Sequence, residues 1–107
     1  MSRHFYKTTF ENEPITILMG YDNYYDGFFM VIEYDEPKDE DVIYSNLFEN
    51  DCYPKNLSTH QRQLNALNLS VPIEMIIEIH TDAAVRMGNK DVHHSYINGI
   101  HTRHQDL

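Results

Sequence analysis

Through the first half of the chain apolar and polar positions alternate with a period of two, and beyond residue 58 they change to a helical period. Residues 5–10 are aromatic and β-branched, and Glu11, Asn12, Glu13 and Pro14 supply a turn, which predicts a first strand. A second strand is expected over 15–19, closed by Gly20, and a polar loop over 22–27 leads into a third over 28–34. In that third strand Phe28, Met30, Ile32 and Tyr34 face one side, and Phe29, Val31 and Glu33 face the other. Both sides carry apolar residues, which marks a central strand. An acidic, proline-containing loop over 35–41 then gives way to a short fourth strand at 42–44.

Helical spacing begins at Ser58, which fits a capping box with Gln61 and predicts a short helix to about residue 68, burying Leu64 and Leu67. Pro72 starts a longer helix. There Ile73, Ile76, Ile77, His80, Ala84 and Met87 draw one apolar stripe, ended by Gly88 and Asn89. The end of the chain leaves two alternatives open. Asn98 and Gly99 form a hairpin signal that pairs Ile97 with Ile100, Ser95 with Thr102 and His93 with His104. The other alternative is a frayed tail over 98–107. Strands first and helices after predict an α+β fold in one domain over residues 1–107. It is an antiparallel sheet of three to five strands with two helices packed on one face, and parallel βαβ units are not expected.

Composition narrows the class. At 107 residues the chain supports one two-layer core, and an aromatic content of 12% argues against disorder. Cys52 is alone, so no intrachain disulfide forms. The first residues hold no apolar leader, and no apolar run approaches the length of a membrane span, so a cytoplasmic location is the expectation. The net charge of −9 lies wholly in residues 1–54, where twelve acids meet only Arg3, Lys7 and Lys38. The rest carries five acids and five bases. That balance argues against direct nucleic-acid binding, which is built on Lys and Arg.

Within the acidic half, aromatic and acidic residues are interleaved. Tyr24, Tyr25 and Phe29 are the expected contact anchors, with Asp22, Asp26, Asp35, Glu36, Asp39, Glu40 and Asp41 steering and rimming contact with a basic protein. Asp22, Asp26, Gly27 and Glu33 also match four positions of a calcium loop. Tyr24 stands where a ligand is needed and the flanks are strands, so a hairpin loop is the expected structure. Six of the seven histidines lie in the second half, and His93, His94, His101 and His104 crowd its end. They are an alternative site for zinc, copper or nickel, although their spacing is no established motif. His80, on the predicted stripe, is expected as a partly buried core residue. Cys52 lies in a turn without any oxyanion feature, no phosphate-cradling glycine motif is present, and the reading is non-enzymatic with no cofactor.

Several segments carry a likeness: residues 14–22, 27–33, 44–47 and 71–76, together with Gly88, Asn89 and Lys90. Over about residues 3–92 the chain resembles a family of small uncharacterised proteobacterial proteins, with the histidine-rich end as an extension. Proteins of that size and type often travel on mobile elements. Small acidic proteins of such elements include anti-CRISPR and other anti-defence inhibitors, and by analogy with them the acidic–aromatic face is expected to bind a basic, nucleic-acid-handling partner by imitating nucleic acid. The rival expectations are a metal-binding protein built on the terminal histidines, and a structural homodimer formed through Phe29 and Val31.

Overall fold

The computed structural model describes residues 1–36 and 42–107. Its elements run β1 (Ser2–Phe10), β2 (Glu13–Asp22), β3 (Gly27–Tyr34), β4 (Val42–Ser45), a 3₁₀ turn (Asn46–Phe48), α1 (Ser58–Ala66), α2 (Ile73–Ala84), β5 (Lys90–Ile97) and β6 (Ile100–Gln105). The α+β class with two helices is as expected. The sheet has six strands rather than three to five, in the order β4-β3-β2-β1-β5-β6.

The added strands have a physical origin. The expected hairpin forms, with Asn98 and Gly99 both in the left-handed region, and its register matches Ile97 to Ile100 and His93 to His104. Its first strand then docks beside β1, placing His4 next to Val92. Because two helices intervene between β4 and β5, the chain returns at the same end of the sheet and β5 runs parallel to β1. That one parallel pair corrects the expectation of a wholly antiparallel sheet. Every other pair is antiparallel.

One sheet face is covered by the helices. On its β2–β3–β4 side Ile15, Ile17, Met19, Met30, Ile32 and Tyr44 are buried against Leu57, Leu64, Met75 and Ile79. Burial at roughly 25 cal/mol per Å² of apolar surface makes this the main source of stability. Phe28, Met30 and Ile32 face this core as their alternation predicts, and Tyr34 packs at its margin.

Three local expectations are corrected. Ser58 is the first helical residue, and Asn56 Oδ1 takes the end-capping role by accepting from the Ser58 N–H at 3.0 Å. The second helix stops at Ala84, earlier than Gly88 and Asn89, because Arg86 enters the left-handed region and the Met87 N–H returns to the Asp82 carbonyl at 2.8 Å. The helix also buries a different stripe. Met75, Ile76, Ile79 and Asp82 face inward, while Ile73, Ile77, His80 and Ala84 are exposed. Apolar residues line two faces of this helix, so spacing alone did not decide which one meets the sheet. His80 accordingly lies outside the core, with its ring edge-on to Phe28.

Candidate metal centre

Three carboxylates on α2 stand four residues apart, Glu74, Glu78 and Asp82, and so share one face of the helix. That face lies over β1, β5 and β6 and meets polar side chains there. Asp82, buried to 1%, receives the Nε2–H of His4 at 2.6 Å and Lys90 Nζ at 2.7 Å. Glu78 receives Arg103 through both oxygens at 2.8 and 2.6 Å, and Lys90 at 2.7 Å. Glu74 accepts the Tyr96 hydroxyl at 2.7 Å.

The strands bring three imidazoles into line. His4 on β1 has no exposed surface, and its Nδ1 lies 2.8 Å from His94 Nε2. His94 Nδ1 lies 2.9 Å from His101 Nε2. Strand alternation supplies His4 and His94 on the covered face, and β6 lays Arg103 directly opposite His94. One run of donors satisfies every contact in this line. His101 donates to His94, His94 to His4, and His4 to Asp82.

Burial and neighbouring charge fix the ionic state. Burial and then the proximity of His4 push His94 down to about 4, so its ring is neutral at neutral pH. Burial alone would raise Glu78, but hydrogen bonds from Arg103 and Lys90 outweigh it and hold its carboxyl at about 2. Asp82 is lowered in the same way, burial being overcome by bonds from His4, Lys90 and Ser2. Glu78 and Asp82 are thus charged, and Lys90 and Arg103 neutralise them.

A ligand set sits inside this network. Donor atoms of His4, His94 and Glu78 all lie within 4.8 Å of one another. Two imidazoles and a carboxylate are a common donor set for a divalent ion. For both nitrogens to bind one tetrahedral ion at roughly 2.1 Å, their separation must open from 2.8 Å to about 3.4 Å, a small displacement. The outer nitrogens are already engaged, His4 Nε2 by Asp82 and His94 Nδ1 by His101. Such outer contacts fix ring orientation in metal sites.

The predicted histidine cluster is therefore split by the sheet. His94 and His101 join the buried group. His93 and His104 lie on the open face, 3.0 and 3.5 Å from Asp106, with His93 stacked on Phe5 at 4.9 Å. Neighbours in a strand point to opposite faces, which is why four histidines near in sequence do not form one site. His4, Glu78, Asp82 and Lys90 were not anticipated. Their one sequence signal is the four-residue spacing of the carboxylates on α2.

The acidic–aromatic residues are dispersed too. Phe29, expected as a contact anchor, is 5% exposed, because its ring lies over Gly20 of the neighbouring strand, where a Cβ would collide with it and with the Ser2 carbonyl. That burial also removes Phe29 from the expected dimer contact. Asp22 is buried and accepts the Tyr24 and Tyr25 N–H groups, closing the hairpin loop that displaces any calcium geometry. Asp26 accepts from the Tyr21 hydroxyl and pairs with Arg86 and Lys55. Asp35 accepts from Thr16 and Lys7. Tyr24 and Glu36 are exposed, and Tyr25 is half exposed, stacked on Tyr53 at 4.2 Å. Asp39, Glu40 and Asp41 lie outside the described residues. Cys52 donates to the Glu49 carbonyl within a turn. No helix of the described residues is long and apolar enough to cross a membrane. No protein-family model, curated protein or solved structure matches the chain.

Proposed function

We propose that this chain is a non-enzymatic metal-binding protein that holds one divalent first-row transition ion between His4, His94 and Glu78. The observation that carries the reading is the convergence of these three donors within 4.8 Å, with both imidazoles already oriented by Asp82 and His101. Nitrogen and oxygen donors without thiolate suit zinc, nickel or copper(II) and disfavour copper(I). Binding moves the His94 proton to Nδ1 and, in step, the His101 proton from Nε2 to its own Nδ1, so that His94 donates to His101 and its Nε2 is free for the ion. Equilibrium dialysis of untagged protein against zinc is expected to give one tightly held ion per chain, lost in His94→Ala and kept in His93→Ala. Binding that persists in His94→Ala would overturn the assignment.

A second reading retains one supporting observation. Tyr24 stands 85% exposed at the tip of the β2–β3 loop, on a chain of net charge −9. Exposed tyrosine on an anionic chain suits a basic partner protein, including a nucleic-acid-handling one. Tyr24→Ala combined with Asp26→Lys and Glu36→Lys is expected to abolish capture of such a partner while the fold persists. Undiminished capture would sink this reading.

A further inference from the structure

Glu78 already accepts three hydrogen bonds from cations before any metal arrives. A carboxylate offers about four lone-pair directions. Arg103 Nε and Nη2 take two of them, at 2.8 and 2.6 Å, and Lys90 takes a third at 2.7 Å. The two carboxylates Glu78 and Asp82 also already face the two cations Lys90 and Arg103. A divalent ion at His4 and His94 adds two positive charges to this enclosed group and needs an oxygen of Glu78. Releasing one of the side-chain cations both lessens the positive charge gathered in this poorly solvated place and opens Glu78 to the ion.

The geometry distinguishes them. Lys90 is 10% exposed and bridges Glu78 and Asp82, so removing it would also strip the partner of the carboxylate that orients His4. Arg103 is 38% exposed, lies on the outermost strand, and already touches the Gln105 side chain at 2.9 Å. It can swing into water without breaking another bond to α2. The same arginine also fastens β6. That strand carries mostly exposed residues, and besides its ladder with β5 it reaches the covered face through His101 and Arg103.

Resting on the metal-binding reading, we propose that Arg103 is the internal counter-cation of the centre. Metal loading exchanges the Arg103–Glu78 pair for a metal–Glu78 bond and so unfastens the edge strand β6 from α2. Metal occupancy is thereby coupled to the freedom of an outer strand whose backbone edge has no neighbour in the sheet among the described residues. Arg103 and the ion compete for one carboxylate, so removing the arginine strengthens metal binding instead of weakening it.

The test is a zinc titration of the full chain, wild type and Arg103→Gln, with amide hydrogen exchange of wild type measured with and without zinc. Arg103→Gln is expected to bind zinc roughly 5- to 100-fold more tightly than wild type, the range usual for coupled sites. Zinc should speed exchange in β6 of wild type while leaving β2 and β3 protected. Equal or weaker zinc binding by Arg103→Gln overturns the proposal, as does slowed or unchanged exchange in β6, and either leaves the metal site itself standing. No zinc uptake by either protein overturns the metal-binding reading and this inference together. The exchange arm uses wild type only, so it decides the matter even if the variant folds poorly.

Discussion

The two halves of the helix-covered sheet face are built on opposite principles. Over β2, β3 and β4 the contact is aliphatic, with Ile15, Ile17, Met19, Met30 and Ile32 under Met75 and Ile79. Over β1, β5 and β6 the same helix lays down Glu78 and Asp82 against His4, His94, Lys90 and Arg103. The first half follows the ordinary route to stability, removal of apolar area from water. The second gathers four charges and three imidazoles, only partly shielded from water at Arg103, an arrangement that apolar packing often matches or exceeds in stability. A half-core that a cheaper apolar solution could replace, yet is polar and fully bonded, is best explained by a chemical task. The difference teaches where in this fold to look for function.

Four changes separate the halves, in descending order of effect. Asp82→Ala leaves buried His4 without its acceptor and Lys90 with Glu78 alone, and is expected to cost about 3–5 kcal/mol in urea unfolding at pH 7.5. A cost under about 1 kcal/mol would mean that the polar half is loosely held. Ile79→Ala, in the apolar half, is expected to cost about 2–4 kcal/mol, with the slope of stability against pH left as in wild type.

His60 breaks the symmetry of the comparison, because it is a titratable group inside the apolar half. It is fully buried, its Nε2 donates to the Phe28 carbonyl at 3.2 Å, and no partner is seen for Nδ1 among the described residues. Burial lowers its folded value below the ordinary 6.5. The unfolded chain therefore takes up the proton first. The stability that His60 lends is whole above pH 6.5 and is lost as pH falls from there through its folded value. His94, held down to about 4, acts in the same sense between 6.5 and 4. Urea midpoints from pH 8 to pH 4 should fall in wild type and fall less steeply in His60→Leu. An unchanged slope in that variant would remove His60 from the account.

The smallest change belongs to the uncovered face. Arg3 and Asp91 make a two-bond pair at 2.7 Å, but it is partly exposed. Arg3→Ala should cost less than about 1 kcal/mol by urea unfolding. A larger loss would show that exposed and enclosed charges are not so different in this protein.

The apolar half was legible in sequence. Alternation placed Phe28, Met30 and Ile32 on one face. The polar half was legible only in fragments. The hairpin register that Asn98-Gly99 sets brings His94 and His101 to one face, but His4 lies about ninety positions away and joins them through a parallel pairing that no local pattern announces. Helical spacing also failed on α2. Its isoleucines lie on more than one side, so spacing alone did not choose the inward face, and the carboxylates at 74, 78 and 82 meet a hydroxyl, two cations and an imidazole that no local pattern announces. The acidic loops were legible as charge but not as pairing, since Lys7, Lys55 and Arg86 come from distant segments to meet Asp35 and Asp26.

The most direct measurement is the visible absorption spectrum of the protein loaded with cobalt(II), a spectroscopic stand-in for zinc. The account predicts one equivalent of cobalt with an intense low-symmetry band, lost in His4→Ala and in His94→Ala and kept in His93→Ala and in His104→Ala. A band that survives without His4 and disappears without His93, or no band at all, would contradict a metal centre in the polar half of this fold.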